Sequence, residues 1–254
     1  MPQASALLNV MIAAARKAGR ALTRDFGEVE NLQVSKKGPS DFVTAADLKA
    51  EKTLFEELSK ARPGYGFLME ERGAVEGSDK THRFIIDPLD GTLNFMHGVP
   101  HFAISIGLER EGVLVAGVVF DVIKDELFWA EKGQGAYLND RRLRVAARSN
   151  LADAMLACGR FEDIAALQRV LAVTPLVRRQ GSAALDLAYV AAGRYDGFWE
   201  RRLSPWDIAA GAIIVREAGG LAREIDGGDF MQTGHIVAAN ERLIQPLIST
   251  VRGE

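Results

Sequence analysis

Residues 84–95 read FIIDPLDGTLNF, and the way this stretch ends decides how the chain is read. Phe84, Ile85 and Ile86 run without interruption into Asp87, Pro88, Leu89 and Asp90, then into Gly91 and Thr92. A short apolar run that stops at Pro and Gly reads as a buried strand delivered to a turn. Two aspartates three residues apart at its end need a physical reason. Strand ends in α/β-type sheets carry loops on a rigid scaffold, and that is where such folds present chemistry.

Working outward, Leu7, Val10, Met11, Ala14, Ala18 and Leu22 share one helical face. Charges follow the apolar part, so the N-terminal stretch to residue 26 predicts an amphipathic helix and not a signal peptide. A second helix is expected over residues 44–58, before the breaker Arg62-Pro63-Gly64. Strands are expected at Gly66–Met69 and at 84–86, 103–108, 113–120, 126–130 and 136–138, as an antiparallel meander. From about residue 150 the texture alternates. Strands at 154–158, 177–179, Gly197–Glu200, 221–223 and Ile236–Ala239 are interleaved with helices at Ile164–Val173, 182–192 and 205–218, and a last helix closes the chain. This divides the chain into an α+β part, 1–147, and an α/β part, 148–254, with no repeat or long linker between them.

Composition narrows the classes. With 254 residues, 48% of them hydrophobic, the chain can bury an ordinary core. A formal charge of −3, from 31 basic and 34 acidic residues, gives no basic surplus, so nucleic acid is not expected as a partner. No apolar run reaches the roughly 18 residues of a membrane span. A single cysteine, Cys158, cannot pair within the chain, which fits a reducing compartment, and the cytoplasm is the expected location.

The acids carry the chemistry. Glu70 and Asp87 sit at strand ends, Asp90 follows, and Asp207 opens a helix. Ionised carboxylates sharing a cleft repel one another unless cations lie among them, and an all-oxygen ligand set selects hard ions such as Mg²⁺ or Mn²⁺. Plainer readings stand beside this one. Thr44 to Asp47 and Ser204 to Asp207 both match the S/T-x-x-D capping pattern, with Pro205 at a first helical position. Asp87 and Asp90 are common turn residues, and Glu70-Glu71-Arg72 reads equally as a solvated charge run. A calcium loop does not fit, because the spacing is three, Pro88 intervenes and no closing Glu stands in place. Gly91 lets backbone approach a ligand, and Thr92 starts a short helical stretch whose free amides face an anion. Metals beside such amides make a phosphate site, in which Asp87 could bridge two ions roughly 3.5–4 Å apart.

With those residues in view, DPLDGTLNF (87–95) and SPWDIAAGAIIVREAGG (204–220) resemble the paired signatures of the inositol monophosphatase family of magnesium-dependent, lithium-sensitive phosphatases. DFVTAADLKAE (41–51), FLMEERG (67–73) and GSAALDLAYVAAGRYDGFWE (181–200) are similar to further family segments, so the resemblance spans nearly the whole chain. It implies a five-layered αβαβα sandwich and a homodimer. It also implies that Glu70, Asp87 and the Leu89 carbonyl hold a first Mg²⁺, and that Asp87, Asp90 and Asp207 hold a second. A third, weaker ion is implied near Glu70. Thr92, bonded to Asp47, is implied to orient and deprotonate the attacking water beside Glu70. The resemblance departs at Met69, where glycine is usual, at Leu93, where threonine is common, and in the short stretch 158–175.

On the substrate side the resemblance assigns Glu200 to polyol hydroxyls, with Gly181, Ser182, Ala183 and Asp90 beside them and Gly91, Thr92 and Asp207 around the phosphate. The implied reaction is hydrolysis of inositol monophosphate by in-line attack of metal-activated water. Within the same family, histidinol-phosphate, fructose-1,6-bisphosphate and phosphoadenosine-phosphate phosphatases are the alternatives, the bisphosphatases needing a basic pocket for which Arg178, Arg179, Arg201 and Arg202 are the obvious clusters. A transcription-associated interaction protein is the alternative of another class. Trp199 and Trp206 read as core or wall, and His97 and His101 as loop histidines.

Overall fold

The computed structural model describes residues 4–28, 34–38, 41–159 and 163–254, with 34–38 and 41–43 described by backbone alone. The first three residues of the N-terminal reading and residues 160–162 of the 158–175 stretch therefore lie outside the described residues. Ser5 opens α1 (Ala6–Phe26) by accepting from the Leu8 amide at 3.2 Å. A hairpin of β1 (Val34–Gly38) and β2 (Asp41–Thr44) leads into α2 (Ala45–Ala61), capped by Thr44. Then come β3 (Gly66–Met69), β4 (Gly73–Val75), β5 (His82–Asp90), the short α3 (Thr92–Met96), β6 (Ala103–Arg110), β7 (Val113–Asp121), β8 (Glu126–Glu131), β9 (Gly135–Leu138) and β10 (Arg141–Arg142). These strands, β1 and β2 aside, form one eight-stranded sheet in the order β10-β9-β8-β7-β6-β5-β3-β4. The expected meander is present from β5 onward, while β3 joins β5 in parallel.

The second sheet is built from β11 (Leu156–Cys158), α4 (Ile164–Val173), β12 (Val177–Arg178), α5 (Ala183–Ala191), β13 (Gly197–Glu200), α6 (Pro205–Glu217), β14 (Leu221–Glu224), α7 (Phe230–Thr233), β15 (Ile236–Ala239) and α8 (Glu241–Arg252). Its order is β12-β11-β13-β15-β14, parallel at the β12 side and antiparallel from β13 to β14.

Three buried clusters show how the layers stack. Leu8, Met11, Leu22, Leu54 and Leu58 of α1 and α2 cover Phe84, Ile86, Ile104 and Val118 on the outer face of the large sheet. Ile85, Val119 and Phe128 on its other face meet Leu185, Leu187, Ile208 and Ile213 of α5 and α6, which also cover Phe198 and Ile236 of the second sheet. Val170, Leu243 and Leu247 of α4 and α8 close the far side over Leu156, Trp199 and Val237. The result is the αβαβα sandwich. The run Phe84-Ile85-Ile86 is continuously apolar because β5 is buried on both faces, each such side chain contributing about 1.5–3 kcal/mol.

How closely α6 lies on the large sheet decides where its first turn falls. A Cβ at Gly107 would stand 2.8 Å from Ala209 Cβ, and one at Gly117 would stand 2.5 Å from Ile213 Cγ2 and 2.7 Å from the Ala210 carbonyl oxygen. These two glycines let the helix backbone settle onto β6 and β7. Gly117→Ala forces that backbone away, at a cost of about 1–3 kcal/mol for overpacking. Thermal melts should place the variant several degrees below the wild type; an unchanged midpoint would show that the close approach is dispensable.

Candidate active site

The strand expected to end at Ile86 continues to Asp90, and the reason it can do so shapes the site. Asp87 pairs with Ser105 and Asp90 with Ala103, so β5 spends three steps where β6 spends two. In a regular strand, residues three apart face opposite sides. One inserted residue returns Asp90 to the side of Asp87. Pro88, which has no amide proton to donate to a ladder, occupies the irregular stretch, and the Leu89 amide donates to Asp87 Oδ1 at 2.8 Å.

Asp207 arrives from the other half of the chain. Ser105, the partner of Asp87 across the ladder, donates its hydroxyl to the Trp206 carbonyl at 3.0 Å, which docks the first turn of α6 beside the bulge. Asp207 Oδ2 accepts from the Ser204 amide at 2.7 Å, so the expected cap exists and uses one carboxylate oxygen. Asp87, Asp90 and Asp207 each offer an oxygen within 4.8 Å of the others, a spacing that could hold a metal ion. Glu70 follows β3, its amide bonded to the Ile86 carbonyl at 3.2 Å. Asp87 is only 2% exposed, and its carboxyl is held well above the usual carboxylate range, first by burial and then by the charges of Glu70, Asp90 and Asp207. All four acids therefore act on one volume.

Asp47 completes this side. The Thr44 amide donates to its Oδ2 at 2.8 Å in a capping box, while Thr92 Oγ1 stands 3.1 Å from its Oδ1 and 3.0 Å from the Leu89 carbonyl oxygen. Asp47 is fully buried, and burial raises its pKa. Gly91 has φ +100°, a conformation that costs a side-chain-bearing residue strain, and it begins α3. Behind this group, Glu51 is buried and accepts from the Glu71 amide at 2.8 Å, with Arg72 3.4 Å away. It holds the 70–72 turn, and the sequence reading did not single it out.

On the opposite side, the Ser182 hydroxyl and the Ala184 amide, the latter at 2.8 Å, donate to Asp90 Oδ2. Gly181 has φ +81°, Ala183 begins α5, and both lie in the loop that carries Ser182. Glu200 ends β13 and is buried. Gly159, which sequence reading overlooked, is what makes room for it: a Cβ there would fall 1.9 Å from Glu200 Oε2. Asp186 was also overlooked, although it is 1% exposed and hydrogen-bonds to nothing through either oxygen. Burial, then Glu200 and Asp90, hold its carboxyl well above the usual range. Its position one turn into a helix of small apolar residues is the signal that could have flagged it.

Other candidates fall elsewhere. His97 is exposed, whereas His101, in the loop before β6, is buried; burial, then the charge of Lys124, lowers its pKa to about 4, and it carries no charge at neutral pH. Trp199 lies in the outer core and Trp206 packs on the middle one. Among the arginines, Arg201 is paired with Asp226 and Asp163, Arg179 donates to the Gly159 carbonyl at 2.5 Å and Arg178 to the Val177 carbonyl at 3.2 Å. Among the described residues a second group, Glu224, Asp226 and His235, has ligand-like spacing. There Arg201 bonds Asp226 and stands 3.1 Å from His235 Nδ1, so a guanidinium already supplies the positive charge.

A convergence of carboxylates around the buried Asp87, at the middle layer of a five-layered sandwich, fits the class of metal-dependent phosphatases. The family model of the inositol monophosphatase family matches residues 3–254, and the chain belongs to that family. It is 60% identical to an inositol-1-monophosphatase of Mesorhizobium japonicum, the match covering 98% of this chain and 97% of the relative. The crystal structure of the extragenic suppressor protein suhB from Bartonella henselae is 55% identical and superposes with a TM-score of 0.95, covering 98% of this chain and 99% of that one. A Nus factor SuhB of Pseudomonas aeruginosa is 44% identical over 97% of this chain and 96% of the relative.

The repulsion at Asp87 has a measurable sign. A carboxyl whose pKa is higher folded than unfolded stabilises the fold at low pH and loses that contribution as pH rises through its folded value. Cation-free protein should therefore gain more stability from Asp87→Asn at pH 8 than at pH 5, and the same substitution should weaken any stabilisation by an added divalent cation such as Mg²⁺. Melts with and without Mg²⁺ at pH 5 and pH 8 test this; a less stable cation-free variant at pH 8 would contradict it.

Proposed function

We propose that this phosphatase hydrolyses inositol monophosphate to inositol and phosphate, with Mg²⁺ held by Glu70, Asp87, the Leu89 carbonyl, Asp90 and Asp207, two to three ions per site and Mn²⁺ as a substitute. The observation that carries this reading is the meeting of Asp87, Asp90 and Asp207 within 4.8 Å around the buried Asp87 carboxyl, with Glu70 adding to the charge. An oxygen-only donor set with that much negative charge fits a hard divalent cation. When bound, the cations supply charge that makes water nucleophilic at neutral pH and stabilises the departing oxygen.

The protein's own groups do the rest. Thr92 Oγ1 can accept a proton from an attacking water while passing its own to Asp47 Oδ1, 3.1 Å away, and Glu70 is assigned to the same step. The raised pKa of Asp47 suits it to receive that proton. Gly91 and Thr92 border the phosphate. Asp90, tied to Ser182 and Ala184, joins that end to the loop of Gly181, Ser182 and Ala183, and Glu200 accepts hydrogen bonds from polyol hydroxyls. In this reading residues 1–147 carry most of the cation ligands, and residues 148–254 carry Asp207 and the polyol side. The bisphosphatase alternatives fit less well, because Arg178, Arg179 and Arg201 donate to carbonyls or pair with acids.

We read the protein as a lithium-sensitive cytoplasmic homodimer. Supporting this are the buried single cysteine, the lack of a membrane-crossing helix among the described residues, and the family membership. A transcription-associated role is a second reading, favoured by the relatives named Nus factor SuhB. Its test is pull-down of polymerase subunits by a catalytically dead variant.

Phosphate release should be measured on inositol monophosphate, histidinol phosphate, phosphoadenosine phosphate and fructose 1,6-bisphosphate, with and without Mg²⁺ and Li⁺. Mg²⁺-dependent release should be greatest with inositol monophosphate. Asp87→Asn and Asp90→Asn should each lower turnover about a thousandfold or more with the fold intact, matching the several kcal/mol that cations supply. Near-normal Mg²⁺-dependent turnover by either variant would defeat the assignment.

A further inference from the structure

The phosphate end and the polyol end of the site belong to segments far apart in the chain, and something must set the distance between them. Asp90 is one link, but it is also a proposed cation ligand. A second, uncharged link lies one helical turn further on. Asn94, in α3, uses both protons of its side-chain amide on carbonyls: Nδ2 donates to the His101 oxygen at 2.7 Å and to the Gln180 oxygen at 2.7 Å. The first bond closes the 94–101 loop. The second crosses to the segment that carries Gly181, Ser182 and Ala183.

The surroundings leave this link little slack. Gly181 has φ +81°, and a Cβ on it would lie 3.4 Å from Asn94 Nδ2 and 3.7 Å from Oδ1. A Cβ on Gly91 would lie 3.1 Å from the His101 carbonyl oxygen and 3.3 Å from the Gly181 carbonyl oxygen. The turns of residues 91, 101 and 181 thus lie close enough that a side chain at 91 would press on both carbonyls, and the Asn94 amide joins residues 101 and 180. Aspartate in this place would set a carboxylate against two carbonyl oxygens, and alanine would leave both carbonyls without their donor, so the residue type matters in two different ways.

We propose that Asn94 is a positioning residue that sets selectivity for the polyol part of the substrate, by holding the 180–184 segment in register with the phosphate end. The proposal rests on the reading of the site given above. The Asn94 amide spends its protons on the His101 and Gln180 carbonyls and not on a proposed cation ligand, so its loss should be felt only by substrates that use the far side of the site.

The test compares purified wild type, Asn94→Ala and Asn94→Ser, each checked for an unchanged circular dichroism spectrum, on inositol 1-phosphate and on p-nitrophenyl phosphate, which lacks a polyol. Two hydrogen bonds of ordinary strength correspond to about tenfold or somewhat more. Asn94→Ala should lose about that factor in kcat/KM on inositol 1-phosphate, mainly through KM. It should stay within about twofold of wild type on p-nitrophenyl phosphate and in inhibition by inorganic phosphate. Asn94→Ser, which keeps one donor, should fall between. Equal losses on both substrates, or no loss on either, would overturn the proposal. Failure of the wild type itself to prefer inositol 1-phosphate would instead overturn the reading beneath it.

Discussion

Like charges at close quarters organise this molecule. Asp87, Asp90 and Asp207 bring oxygens within 4.8 Å of one another, with Asp87 almost wholly buried, and the charges of its acidic neighbours hold the Asp87 carboxyl above its usual range. Burial removes the water that would otherwise screen the repulsion. Such a cluster destabilises the empty fold, so the surrounding scaffold has to hold the acids in place against it. It does so with backbone: the bulge in β5, the docking of Trp206 on Ser105, and the close approach of α6 that Gly107 and Gly117 permit.

Two of the acids cap helices besides the chemical roles proposed for them, and the geometry makes the two compatible. Asp47 and Asp207 each stand three residues past a helix cap and accept from the cap's amide, at 2.8 and 2.7 Å. In both, Oδ2 is the oxygen so used. The cap thereby immobilises the carboxylate plane through one oxygen, and the other oxygen of Asp47 meets Thr92. Structural and chemical explanations of a capping acid are not competitors here, since the first supplies the rigidity that the second requires.

This bears on how much the sequence could tell. FIIDPLDGTLNF announced a buried strand and an acid-bearing end, and the periodicity of α1 and the meander from β5 onward were legible because long segments repeat a pattern often enough to be recognised. The extension of β5 to Asp90 was not legible: Pro88 normally argues against a continuing ladder, and only the pairing with β6 shows that a bulge accommodates it. β1, β2, β4 and β10 are two to five residues long and carry too little alternation to be seen. Candidate acids could be named from spacing and from family resemblance, whereas the supporting residues could not. Gly159 matters because of Glu200, Glu51 because of the 70–72 turn and Asn94 because of Gln180, and each partnership joins segments that local pattern leaves unrelated.

The layered fold adds a thermodynamic consequence. Asp87 and Asp90 belong to the large sheet and Asp207 to a helix packed between the two sheets, so the cluster exists only when that middle layer is docked on the large sheet. An unfolded chain offers these carboxylates scattered and hydrated. Any cation that the cluster binds will therefore favour the docked state alone, by RT ln(1 + [L]/Kd), about 2.7 kcal/mol at a hundredfold excess over Kd. The repulsion that weakens the empty fold is the same term that makes the cation bind, so affinity for the ion and instability without it rise together. Softening the cluster by removing a charge relieves the second only by surrendering the first, which is why an enzyme of this build tolerates a strained site at the seam of its two sheets.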